Sequence, residues 1–128
     1  MDKEIVSTKE APAAIGPYSQ AVRVGPFLFT AGQIPIDPST GRLVEGDITV
    51  QVRRVMGNLQ AVLTAAKLTF ADVVKTTIFV KDMGQFSVIN QTYGEYFPTD
   101  PPARSTVQVA KLPLDAAVEI EMIAYAER

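Results

Sequence analysis

The chain has no cysteine and no histidine among its 128 residues. Without thiols or imidazoles it has no disulfides, no thiolate nucleophile and no imidazole base. It also lacks the nitrogen and sulfur ligands on which nearly every zinc or other transition-metal site depends. No window is apolar over the roughly 20 residues that a membrane helix needs. The N-terminus, Met1-Asp2-Lys3-Glu4, carries acids where a secretory signal would carry an apolar run and a small-residue cleavage site. No membrane association is therefore expected, and the cytoplasm is the expected compartment. Basic clusters are scarce too: none is longer than Arg53-Arg54, and the net charge is −2. A broad phosphate-binding surface is not expected, which argues against nucleic acid as a partner. Carboxylates, lysines, arginines and tyrosines remain as titratable groups, so any reaction must be one that positioned water and a carboxylate can carry.

What is present suits one domain spanning residues 1–128, because two domains of half this length would each be marginal. A hydrophobic fraction of 47% with 20% charged residues is ordinary for a globular protein. Phe27 to Gln33 reads as a strand followed by the turn-rich Asp37-Pro38-Ser39-Thr40-Gly41. Asp47 is a good N-cap, and Val52, Val55, Met56, Leu59, Val62, Leu63 and Ala66 then recur at helical spacing. Val73 to Val80 is β-branched and aromatic almost throughout, which predicts a strand covered on both faces. Asp82 is placed to cap a second helix with an apolar stripe of Phe86, Ile89, Tyr93, Tyr96 and Phe97, ended by Pro98 and Pro101-Pro102. Two alternating strands follow. In Ala103 to Val109 the set Ser105, Val107 and Val109 is expected to face the core, and Arg104, Thr106 and Gln108 to form a polar face. In Val118 to Ala126 one side carries Val118, Ile120, Met122 and Ala124, and the other Glu119, Glu121, Ile123 and Tyr125.

This order predicts an α+β fold, with two helices on one face of a sheet of about five or six strands. The uncovered face would hold Ile123, Tyr125 and either Ile78 or Phe79, a large apolar patch for a monomer, so self-association through it is expected.

Arg104 is the first candidate for chemistry. Proline limits the backbone just before it, and a planar guanidinium matches a carboxylate through paired donors. Ion pairs are commoner than active sites, so a structural pair with Glu119 or Glu121 is the competing reading. Glu119 and Glu121 share a strand face and suit acid and base work, or equally a solvated edge. Asn90 beside the helix stripe could donate to a ligand or simply satisfy an interface. Ala14 to Gln20 joins a Gly-Pro turn to the Tyr18 hydroxyl and by itself is only a turn. Gly16, Gly25 and Gly32 lack the spacing of a nucleotide-binding fingerprint.

Taken together, Ala11-Pro12-Ala13-Ala14-Ile15-Gly16-Pro17-Tyr18-Ser19-Gln20-Ala21, Gly32-Gln33-Ile34-Pro35, Val74 to Asp82, Pro102-Ala103-Arg104-Ser105 and Ala110-Lys111-Leu112-Pro113 followed by Val118-Glu119-Ile120-Glu121 resemble the Rid/YjgF family of enamine and imine deaminases, in its RidA branch. The resemblance runs nearly end to end. It implies a chorismate-mutase-like fold, a homotrimer around a central barrel, and sites between subunits. It also implies cofactor-free hydrolysis of 2-iminopropanoate and 2-iminobutanoate, unstable products of pyridoxal-phosphate enzymes, to 2-oxo acids and ammonia. Carried over residue by residue, Arg104 would bind the substrate carboxylate and Glu119 would position or activate water. Backbone at Gly32 and Thr106 would line the pocket, with Tyr18 and Asn90 completing it from across the subunit boundary. Two positions depart from the family's usual pattern: Ala31 stands where many relatives have serine, and Thr106 where cysteine is frequent. The alternative reading is a non-catalytic trimer that binds small carboxylates in a regulatory or chaperone-like role. Glu119 discriminates, because a buried carboxylate beside an anionic ligand opposes binding yet serves a hydrolase. A ribonuclease reading has neither a histidine nor a basic stripe to rest on.

Overall fold

In the computed structural model, which describes residues 2–127, the Asp47 carboxylate accepts a hydrogen bond from the Val50 N–H (3.1 Å) and caps the helix Ile48–Ala65, α1. The predicted stripe of α1 is buried: Val52, Val55, Met56, Leu59, Val62 and Leu63 all lie in the core. At its C-terminal end the Ala66 carbonyl accepts from the buried Arg23 guanidinium (3.0 Å), which ties the helix to the sheet and satisfies an otherwise orphaned acceptor.

The described residues also form eight strands: β1 (Lys3–Val6), β2 (Ala21–Val24), β3 (Phe27–Thr30), β4 (Ile36–Asp37), β5 (Arg42–Leu43), β6 (Val73–Val80), β7 (Ala103–Gln108) and β8 (Val118–Tyr125). A second helix, α2, spans Phe86–Gly94. Six strands form one sheet in the order β1-β2-β3-β8-β6-β7, with β6–β7 its one parallel pair; β4 and β5 make a separate hairpin. That hairpin turns where the Asp37 carboxylate accepts from the Ser39 N–H (2.8 Å) and hydroxyl (2.7 Å), the local bonding that makes aspartate a turn former.

Both helices lie on one face of the sheet, as the element order predicts. Leu28, Ile78, Val80, Val118, Ile120, Met122 and Ala124 pack under α1 and α2, and the alternation read in β8 holds throughout. The opposite face leaves Phe27, Phe29, Val107 and Tyr125 exposed, the Phe27 and Tyr125 rings meeting edge to face at 5.1 Å.

Three expectations need correction. First, β6 is covered on one face only. Thr76, Ile78 and Val80 are buried, while Lys75, Thr77 and Phe79 are half-buried and Val74 is exposed at a register shift. Second, Asp82 caps a single 3₁₀ turn, Met83–Gln85, through the Gly84 N–H, and α2 begins after it with no side-chain cap. Third, the two faces of β7 are exchanged. Arg104 and Thr106 are the more buried set, and Ser105 and Val107 are exposed. The parallel register sets Arg104 beside Thr76 and Thr106 beside Ile78, both of which point toward the helices, so Arg104 and Thr106 point there too.

Candidate functional site

Two groups of candidate residues emerge, one on each side of the sheet. The first is built by β7 and α2. Phe86, Asn90 and Tyr93 are spaced by four and three residues, so one face of α2 presents all three. The guanidinium of Arg104 lies over the Phe86 ring (5.5 Å to the centroid) and the Tyr93 ring (5.2 Å), and its Nη1 donates to the Asn90 Oδ1 (2.7 Å). The stacked rings and the amide fix the orientation of a long side chain while leaving its charge intact. Tyr93 is itself held by a buried 2.7 Å hydrogen bond between its hydroxyl and that of Thr76. Burial raises the Tyr93 pKa, and the Thr76 bond and the Arg104 charge act against that shift. No carboxylate pairs with Arg104: among the described residues the salt bridges are Arg53–Glu95 and Lys81–Asp115, both exposed. The structural ion pair that competed for Arg104 is therefore absent within the chain. Thr106, two residues further on the same face, has a buried hydroxyl with no hydrogen-bond partner.

The second group lies on the far side of the sheet, around Glu119. β3 pairs with β8 up to Phe29–Ile123, and pairing resumes at Gln33–Ile120, so that Thr30, Ala31 and Gly32 on one side answer Glu121 and Met122 on the other. Such a bulge bends the strand and re-aims its side chains. Within it the Thr30 hydroxyl replaces a backbone acceptor for the Met122 N–H (2.9 Å), and the Ala31 N–H turns to the Gln20 carbonyl (2.9 Å). Gly32 is thus laid beneath Glu119 so closely that a Cβ there would stand 2.6 Å from Oε2. Glu119 is half-buried, and its pKa is raised, chiefly by desolvation and secondly by the Glu121 charge. Glu119, Gly32, Ala31, Tyr18, Ile15 and Leu114 all line an open cleft of about 500 Å³. Tyr18 accepts a hydrogen bond from the Ile15 N–H (3.3 Å), which folds the Gly16-Pro17 turn back upon itself.

The predicted site residues therefore fall into two sets. Arg104, Asn90 and Thr106 occupy the helix side of β7, while Tyr18, Gly32 and Glu119 occupy the open side of β8. β6 lies between the two strands, so they do not pair, and the pleat points Arg104 and Glu119 to opposite faces. Asn90 belongs with Arg104 on the same chain, contrary to its expected place with Tyr18 across a subunit boundary. Sequence reasoning missed Phe86 and Tyr93 as supports of the guanidinium, because their spacing read only as core. It also missed Gln20, which is buried and donates to the Thr8 and Pro12 carbonyls while accepting from the Thr8 N–H, stitching the segment before Tyr18 in place. Among the described residues no cluster of His, Cys, Asp and Glu could hold a metal ion, and no helix is long and apolar enough to cross a membrane.

Known proteins resemble this chain in sequence and fold over nearly its whole length. The sequence profile of the family described as Endoribonuclease L-PSP matches residues 8–126. A RutC family protein of Pyrococcus horikoshii is 53% identical over 125 residues, covering 98% of this chain and 99% of that one. The 2-iminobutanoate/2-iminopropanoate deaminase of Salmonella typhimurium is 48% identical over 122 residues, covering 93% and 94%. The solved structure of a Rid family protein from Yersinia pestis superposes with a TM-score of 0.95 at 51% identity, over 98% of this chain and all of that one. With its motifs, its helix-covered six-stranded sheet and about half its residues in common with these proteins, the chain belongs to the Rid/YjgF family.

Proposed function

We propose that the protein is a 2-imino acid deaminase acting on 2-iminopropanoate and 2-iminobutanoate. The observation that carries this reading is Arg104: a guanidinium oriented by two aromatic rings and an amide, with no carboxylate paired to it among the described residues. Such a group suits a small carboxylate held bidentately. The name of the Salmonella relative supports the substrate class.

Water adds to the imine carbon of the bound acid, the C–N bond then breaks, and the products are a 2-oxo acid and ammonia. The imine carbon is already electrophilic, so orientation and modest proton transfer suffice. Glu119 takes a proton from the attacking water and returns one to the departing nitrogen. Desolvation raises its pKa, which brings it nearer to neutrality and suits both halves of that transfer. A receptor for carboxylates would gain nothing from a half-buried acid at the same site.

Arg104 and Glu119 face opposite sides of one sheet, so a single chain does not supply both to one substrate. In the proposed assembly Arg104, Asn90 and Thr106 of one subunit meet Tyr18, Gly32 and Glu119 of the next. A closed ring of such head-to-tail contacts repeats the site once per subunit, and a homotrimer built around the exposed Phe27, Phe29 and Tyr125 face satisfies it. The direct test supplies the imine from a threonine dehydratase, traps what remains with semicarbazide, and compares the wild-type protein with Arg104→Ala. The variant is expected to lose nearly all acceleration of imine loss. Unchanged activity in it would refute the mechanism.

A further inference from the structure

The turn Pro113–Asp115 is the most strained segment among the described residues. Leu114 (φ 56°, ψ 21°) and Asp115 (φ 58°) are consecutive left-handed residues. Aspartate tolerates this region because its short polar side chain bonds locally, but leucine has no such compensation. The conformation is imposed from outside. Leu112 and Ala116 are buried on either flank, the Asp115 N–H donates to the Leu112 carbonyl (3.0 Å), the Ala116 N–H donates to the Pro113 carbonyl (3.1 Å), and Asp115 pairs with Lys81 (2.9 Å). Packing does not select leucine here either, since its side chain is 63% exposed. Glycine or asparagine would occupy the position without strain. A lone exposed leucine would need no explanation. A strained one at the rim of the cleft that holds Glu119 does, because backbone outliers of this kind cluster at ligand-binding and active sites. Ile15, 77% exposed, stands on the same rim.

We propose that Leu114 and Ile15 form an apolar rim that grips the side chain of the 2-imino acid, so that selectivity rises with the number of carbons in an aliphatic side chain. The inference rests on the deaminase reading above and deepens it by naming the substrates preferred. Leu114 and Ile15 present only aliphatic carbon at this rim, so it matches an aliphatic side chain and offers a charged one no partner. Each methylene transferred from water to such a surface is worth about fourfold in kcat/KM.

The test uses 2-imino acids generated by an amino-acid oxidase from alanine, 2-aminobutyrate, norvaline and leucine, with the wild-type protein, Leu114→Asn and Leu114→Gly. For the wild-type protein kcat/KM is expected to climb along the series. In both variants the ratio of the leucine-derived to the alanine-derived substrate should fall about fourfold to tenfold. Their melting temperatures should not drop, since both residues accept the left-handed backbone. An equal loss on every substrate, or an unchanged ratio, overturns the inference and leaves the deaminase reading standing. Dissociation of the assembly with uniform loss overturns it as well, by making Leu114 an interface residue. A wild-type protein inactive on all four imines overturns the deaminase reading and this inference with it.

Discussion

Replacing Gly32 by alanine moves one carboxylate and little else. The new Cβ would lie 2.6 Å from the Glu119 Oε2, 2.8 Å from its Cδ and 2.9 Å from its Cγ. Carbon contacts settle at about 3.5–4.0 Å, so the carboxyl group must retreat by about 1 Å. The backbone at 32 is outside the left-handed region, so alanine introduces no strain there. The side chain that yields is flexible and only half-buried, which keeps the stability cost near 1 kcal/mol. Catalysis is less forgiving: a misplacement of about 1 Å in a reacting group costs on the order of 10²-fold. The expectation for Gly32→Ala is therefore a kcat lowered about a hundredfold, a nearly unchanged KM because Arg104 still holds the substrate, and a melting temperature within a few degrees of wild type. The dehydratase-coupled semicarbazide assay gives the kinetic constants, and thermal unfolding gives the melting temperature. A folded variant with kcat within about threefold of wild type would refute the role given to Glu119.

Tyr93→Phe leaves the buried Thr76 hydroxyl without its 2.7 Å partner and is expected to cost about 1–3 kcal/mol in urea unfolding. The double variant with Thr76→Val should lose less than the two single costs added together, because it strands neither group. Glu119→Gln should change stability in a pH-dependent way. A raised pKa means that the folded chain holds a proton which the unfolded chain has released, so stability falls as pH rises upward from the ordinary glutamate value. The variant should therefore match wild type in melting temperature near about pH 4 and exceed it near about pH 7, as calorimetry across that interval would report.

Much of the fold is legible in the sequence where local rules and burial agree. Asp47 caps α1, the spacing from Val52 to Leu63 gives its buried stripe, and the strict alternation of β8 gives both of its faces. β7 is different. Alternation separates Arg104 and Thr106 from Ser105 and Val107, but it does not say which set faces the helices, and hydrophobicity favours the valine. The parallel register with β6 and the aromatic face of α2 decide the matter, and both are long-range facts. The same limit hides the relation between Gly32 and Glu119, which depends on a bulge between strands far apart in sequence. Arg104, Glu119, Tyr18, Gly32, Asn90 and Thr106 can all be singled out from their motifs. That they divide between two faces cannot, because the insertion of β6 between β7 and β8 follows from chain topology.

This division is the centre of the account, and mixing two inactive variants tests it. Arg104→Ala keeps Glu119, and Glu119→Gln keeps Arg104; each alone should be nearly inactive. If each site takes Arg104 from one subunit and Glu119 from the next, unfolding the two variants together and reassembling them at equal concentration gives intact sites wherever neighbours of opposite kind meet in the right order. Random assembly makes that about one site in four, so about a quarter of wild-type activity should return. Activity that stays at the level of the separate variants, in a mixture shown to contain both chains in one assembly, would contradict a site shared between subunits.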